Sequence, residues 1–293
     1  MIVDCHTHIN FEAGDIAKSE HLAAAQTVDA CIVLATLDRQ CEENNKKLSE
    51  YVGKYKEKMV GFGVLIPGED KANVNSLKTI KEKLGLKGVV LYCSACGMHP
   101  AHSSAMRFYE LSQELGMPVF FHNSSSTKKT EAILNYTQPY LLDEVAREFP
   151  DLKIIIANMG VPFVEQTISM ISKHQNVYAD LTIKPRNVWQ TYNTVVAAYE
   201  QEVMDKLLFG SGFPSGNAGQ CIETLLGLNM LLADTNLPTV PRGSIRNIIE
   251  RNAFELLGIN ITDTEEPKKK SKKTKERRSS GAVKEEGKIR NDG

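Results

Sequence analysis

The chain has 293 residues, with 35 Lys and Arg against 36 Asp and Glu, a formal charge of -1 and a hydrophobic share of 42%. That length suits a single α/β barrel of about 250 residues, and the hydrophobic share supports a sizeable core. No apolar run reaches the roughly 20 residues that cross a bilayer, which argues against a membrane protein, and the composition argues against a wholly disordered chain.

Met1 is followed at once by Ile2-Val3-Asp4-Cys5-His6. No basic stretch precedes an apolar one, so no secretory leader is expected. The six cysteines are spread thinly, which points to reduced thiols and a cytoplasmic setting.

Eight short apolar runs then follow in chain order: 2–5, 30–35, 60–66, 88–92, 118–122, 153–157, 177–181 and 206–210. Several are continuous Val, Ile and Leu, as parallel strands buried on both faces require. Helix-period segments lie between them at 75–84, 104–115, 141–149, 164–174, 217–232 and 244–257. Gly116 with Pro118, and Pro150, stop the helices ahead of the fifth and sixth strands, and Gly258 ends the pattern. Strand and helix alternating through about 258 residues predict a (β/α)8 TIM barrel. A doubly wound open sheet is the alternative, weakened because no Gly-rich dinucleotide fingerprint follows the first strand. In a barrel the chemistry sits at the C-terminal ends of the strands.

The first strand ends Asp4-Cys5-His6-Thr7-His8. Side chains alternate with period two, so Asp4, His6 and His8 share a face, and two imidazoles one pleat apart can converge on one cation. The fourth strand leads into Tyr92-Cys93-Ser94-Ala95-Cys96-Gly97-Met98-His99-Pro100-Ala101-His102. The spacing there does not match a standard zinc finger. A redox Cys-x-x-Cys and a plain loop facing solvent or substrate are the other readings. The fifth strand ends in His122, followed by Asn123 and Ser124–Ser126, and His122 would complete a three-histidine site. The serines either contact a substrate oxygen or cap the next helix. His21 and His174 fall in helical segments and are read as surface or packing residues, and Asp180 as a fastener of local backbone.

These segments together resemble the amidohydrolase superfamily, in its amidohydrolase-related branch of metal-dependent hydrolases and decarboxylases. Asp4 to His8 resembles the opening D-x-H-x-H, and Pro118-Val119-Phe120-Phe121-His122 resembles P-V-x-x-H on the fifth strand. Residues 139–160, 176–181, 207–214 and 252–258 resemble the family's sixth strand with its helix, its seventh strand, its L-F-G-S-D-x-P and its closing N-A-x-x-L-L-G. The resemblance implies a TIM barrel over residues 1–260. It implies a divalent metal ion, a single zinc, on His6, His8 and His122. It also implies a small-molecule substrate. Asp4 is read as accepting a hydrogen bond from a ligand histidine, or else as making a loop hydrogen bond.

Three departures bear on the chemistry. The sixth-strand histidine is Asn158, the eighth-strand aspartate is Gly212, and Val89-Val90-Leu91 holds no bridging lysine. Glycine can neither ligate a metal nor take a proton, and a missing general base typically costs ~10²–10⁴ in rate. Asn158 can donate a hydrogen bond to a substrate carbonyl but cannot titrate. Cys93 and His99 are the candidates for an accessory ligand or replacement base. Three readings follow: a metal-dependent hydrolase in which metal-bound water attacks an amide, lactone or similar carbonyl; a non-oxidative decarboxylase; and a catalytically impaired pseudoenzyme that binds a ligand or partner.

The near-zero charge is an average. Residues 261–293 carry 11 Lys and Arg against 7 Asp and Glu, a net of +4, which leaves -5 on residues 1–260. The tail opens with Pro267-Lys268-Lys269-Lys270 and holds few large apolar residues, so a disordered basic appendage is expected. No aromatic residue is interleaved for base stacking, and no nucleic-acid contact is assigned to it. Assembly into a homo-oligomer is left open.

Overall fold

The computed structural model describes residues 1–37, 40–67, 72–123 and 131–261. Eight strands run β1 Val3–Thr7, β2 Ala30–Leu34, β3 Met59–Val64, β4 Gly88–Leu91, β5 Val119–Phe121, β6 Ile154–Ile156, β7 Val177–Asp180 and β8 Leu207–Leu208. Each is parallel to the next, in sequence order. The ends of the sheet meet: Cys5 N–H donates to Phe209 O at 2.9 Å, Gly212 N–H to His6 O at 2.9 Å and His8 N–H to Phe213 O at 2.9 Å. The sheet is thus a TIM barrel, as the alternation of apolar runs and helices predicts.

Strand residues are buried from end to end, which explains why the runs read as continuously apolar rather than alternating. Glycines on β3 and β4 make room inside. A Cβ added to Gly88 would lie 2.6 Å from the Phe62 ring, and one on Gly61 2.6 Å from Leu86. β1 runs two residues beyond its predicted end, through His6 to Thr7, with a register irregularity between Asp4 and Thr7. β8 is short, yet its hydrogen bonding to β7 continues, with Leu181 N–H on Leu208 O and Ile183 N–H on Gly210 O.

The helices are α1 Gly14–Ala24, α2 Cys41–Val52, α3 Ala72–Lys78, α4 Ser103–Glu114, α5 Asp143–Glu148, α6 Val164–Lys173, α7 Val188–Glu200, α8 Ala218–Leu226, α9 Arg242–Ile249 and α10 Ala253–Leu257. Two predicted segments are broken. Gly227 separates α8 from a tighter turn at Leu228–Leu232, and residues 250–252 divide α9 from α10. α1, α2 and α7 are additional to the six helix-period segments. Among the described residues no helix is long and apolar enough to cross a membrane. Ser124–Ser126 and the basic tail beyond Ile261 lie outside the described residues.

Candidate metal centre

β1 and β5 bring His6, His8 and His122 together at the mouth of the barrel. Their Nε2 atoms form a triangle with every edge 3.1 Å. His6 is 2% exposed and His122 6%, and Phe120 and Tyr92 wall the rings, their centroids 5.3 Å from His6 and 4.8 Å from His122.

The second ring nitrogen of two of these histidines decides what the first can do. His8 Nδ1 lies 3.0 Å from the Leu34 carbonyl, which can only accept, so Nδ1 carries the proton and Nε2 is bare. His6 Nδ1 lies 2.5 Å from Asp180 Oδ2, a carboxylate, so the same assignment holds. Two bare lone pairs therefore face each other 3.1 Å apart in a buried place. A single N–H on His122 Nε2 can face only one of them squarely, whereas one cation satisfies all three nitrogens. Burial drives the His8 imidazole down to about 3, and burial drives His122 well below its ordinary value. Both rings stay neutral at ordinary pH, the form that binds metal.

The spacing supports a cation as well. Tetrahedral ligands at about 2.0–2.1 Å from zinc stand about 3.3 Å apart, close to the 3.1 Å edges of the triangle. Among the described residues these three histidines are the group of His, Cys, Asp and Glu side chains whose ligand atoms converge tightly enough to hold a metal ion.

Asp180, at the end of β7, is the carboxylate beneath this group, and it is fully buried. It takes His6 Nδ1–H at 2.5 Å, the Thr182 hydroxyl at 2.6 Å, the Asn158 N–H at 3.0 Å and the Thr182 N–H at 2.9 Å. Burial pushes its carboxyl up, but His6, Thr182 and Asn158 outweigh that effect, and the net lies below the ordinary value. Its place depends on a glycine of the eighth strand's extension: a Cβ on Gly210 would sit 2.1 Å from Asp180 Oδ1. Asp180 does fasten backbone, but it also aims a candidate ligand. The visible signal was an aspartate closing a wholly apolar strand, Val177-Tyr178-Ala179-Asp180.

Asp4 follows the second of its two readings and hydrogen-bonds backbone. Its Oδ1 accepts the backbone N–H of His6 at 3.2 Å and of Ser211 at 2.9 Å. It ties β1 to the β8 extension, and burial raises its carboxyl to about 6. Cys93 and His99 are not drawn into the histidine group. Cys93 is buried beside His122 in a cleft with Ser94 and Asn123, and burial pushes its thiol far up, so it is no ready thiolate. His99 Nδ1 accepts the Ala101 N–H at 3.1 Å and the ring packs edge-on to Tyr136, a loop role.

Asn158 follows β6 in a left-handed conformation, φ +52°. Its Nδ2 is buried without a hydrogen-bond partner, and the residue lines a cleft with Thr182, Lys184 and Gln190. Gly212 lies at φ +65°. His21 is buried rather than superficial: it bridges Thr7 Oγ1 at 3.0 Å and the Tyr51 hydroxyl at 2.9 Å.

The solved structures similar to this chain share its fold. An uncharacterized TIM-barrel protein from Bordetella bronchiseptica is 18% identical with a TM-score of 0.66, over 88% of this chain and 98% of that one. A structure described as a probable 2-pyrone-4,6-dicarboxylic acid hydrolase from Acinetobacter baumannii, with citric acid bound, is 16% identical with a TM-score of 0.63, over 88% and 99%. The 2,6-dihydroxybenzoate decarboxylase from Rhizobium is 15% identical with a TM-score of 0.61, over 88% and 98%. No curated protein matches the chain. The amidohydrolase family model matches residues 3–259, from the first residue of β1 to just past α10. A match spanning the whole barrel, with the histidine group at its mouth, places this chain in the amidohydrolase family.

Proposed function

We propose that this chain is a metal-dependent enzyme that hydrolyses a small-molecule amide, lactone or similar carbonyl compound, using one zinc ion held by His6, His8 and His122. The observation that carries the reading is the buried triangle of Nε2 atoms 3.1 Å apart, two of them bare by virtue of Leu34 O and Asp180. Held by these three residues, a zinc ion would supply Lewis-acid polarisation of a carbonyl oxygen and a water acidified to a pKa of about 7.

The chain's own residues supply orientation and exclusion of water. Asp180 and Leu34 O hold the His6 and His8 rings in the tautomer that presents Nε2. Asn158 offers an unpartnered buried N–H donor to a substrate oxygen from the neighbouring cleft. Tyr92 and Phe120 close the apolar side. Asp180 does not serve as proton acceptor for an incoming water, because it is fully buried and already engaged by four donors.

That missing acceptor favours a second reading, non-oxidative decarboxylation, in which no water need be deprotonated. Gly212 has no side chain to take the proton, and one of the similar structures is named as a decarboxylase. Turnover in water labelled with heavy oxygen, followed together with carbon dioxide release over a panel of amides, lactones and aromatic or enol-type carboxylates, separates the two. Label in the product without carbon dioxide supports hydrolysis, and carbon dioxide without label supports decarboxylation. Zinc-loaded protein that turns over nothing in the panel contradicts both and leaves a ligand-binding barrel. We place the protein in the cytoplasm on the thin spread of its six cysteines through the sequence.

A further inference from the structure

Thr182 stands two residues beyond Asp180, at the mouth of the barrel, and touches the centre through its hydroxyl. Its Oγ1 lies 2.6 Å from Asp180 Oδ2 and 2.9 Å from His6 Nδ1. A hydroxyl has one proton and two lone pairs. The carboxylate can only accept, so the Thr182 proton goes to Asp180, and a lone pair is left for His6 Nδ1–H. The hydroxyl therefore closes a ring of three groups around the one nitrogen that orients the His6 imidazole.

The methyl group faces the other way, toward the eighth strand's extension. A Cβ built on Gly212 would lie 2.7 Å from Thr182 Cγ2, closer than real Cβ contacts come. Threonine is β-branched and stiff at χ1, so turning the methyl aside also turns the hydroxyl away from Asp180 and His6. Gly212 itself sits at φ +65°, where an L side chain is strained. The two positions are coupled: any side chain at 212 is gained at the expense of the contacts that hold His6.

We infer that Thr182 is a positioning residue for His6, and that the Thr182–Gly212 pair commits this centre to three protein ligands, so that Gly212→Asp alone adds no fourth. The inference rests on the reading of the histidine triangle as a zinc site.

The test is a double-mutant cycle read as zinc affinity, by competition with a chromophoric chelator on the full-length chain, and as the visible spectrum of the cobalt(II) form. Thr182→Val keeps the shape and loses the hydroxyl, and weakens zinc binding by about 10–100-fold. Thr182→Ser keeps the hydroxyl and binds as the wild type does. Gly212→Asp in the threonine background does not tighten binding. In the Thr182→Ser background, where the obstructing methyl is gone, it does, and the cobalt spectrum shifts with the new oxygen ligand. The serine-background comparison stands even if Thr182→Val fails to fold. Equal affinity of a folded Thr182→Val and wild type, or tightening by Gly212→Asp equally in both backgrounds, overturns the inference while leaving the zinc reading intact. Wild-type protein that takes up no zinc overturns both.

Discussion

At the scale of single residues, what matters is which hydrogen-bond partner each polar group finds. His6, His8 and His122 were legible in the sequence because alternation on a strand and a polar residue ending an apolar run are both visible in one dimension. Asp180, read in the sequence as a fastener of backbone, also meets the ring of His6. Asp4 is near His6 in the chain but binds backbone, whereas Asp180, 174 residues away, meets the His6 ring. Closeness along a chain says little about contact across a barrel.

His21 gives a prediction at the same scale. Burial between Thr7 and Tyr51 lowers its imidazole to about 4. The folded state therefore binds fewer protons than the unfolded state between about pH 6.5 and 4. Its contribution to stability is intact above pH 6.5 and declines as pH falls toward 4. Between pH 7 and 5 the loss due to His21 is about 2 kcal/mol. Denaturant melts at both pH values should show wild type losing about 2 kcal/mol more stability than His21→Gln between pH 7 and 5, and equal losses would contradict the assignment.

At the scale of elements, strands were easier to read than helices. Ile154-Ile155-Ile156 is apolar throughout because both faces of β6 are covered. The helices α2 and α7 lack so clear a stripe, since α2 buries Asn45 beside Leu48, Tyr51 and Val52, and α7 buries Thr191 and Thr194 beside Tyr192 and Val195. In α1, His21 is the buried residue while Ile16 is 71% exposed. Polar residues with tertiary partners hide the periodicity that apolar ones reveal. The end of the eighth strand was legible as motif but not as geometry: Gly210 matters because the Asp180 carboxylate fills the space of its absent Cβ. Gly210→Ala should lower stability by about 1–3 kcal/mol and weaken zinc binding together with it, measured by denaturant melts and chelator competition. A well-folded Gly210→Ala with unchanged zinc affinity would show that Asp180 does not need that space.

At the scale of the whole molecule, the sequential parallel sheet brings the ends of β1, β5, β6 and β7 to one mouth, which is how residues 6, 8, 122, 158 and 180 come to share one place. The family match stops at residue 259, close to where the charge changes sign from a net of -5 to a net of +4. We propose that the barrel is complete without the basic appendage. A chain ending at residue 261 should then melt at the same temperature as the full chain and bind zinc equally well, and a lowered melting temperature would show that the last 32 residues contribute to the fold.

If His6, His8 and His122 hold a metal ion, it will show in elemental analysis of the purified full-length chain beside a His6→Ala/His8→Ala variant, each dialysed against zinc and then against metal-free buffer. About one equivalent of zinc retained by the wild type and lost from a folded variant is the predicted result. Wild-type protein that retains no metal, or a double variant that retains as much as the wild type, would contradict the claim.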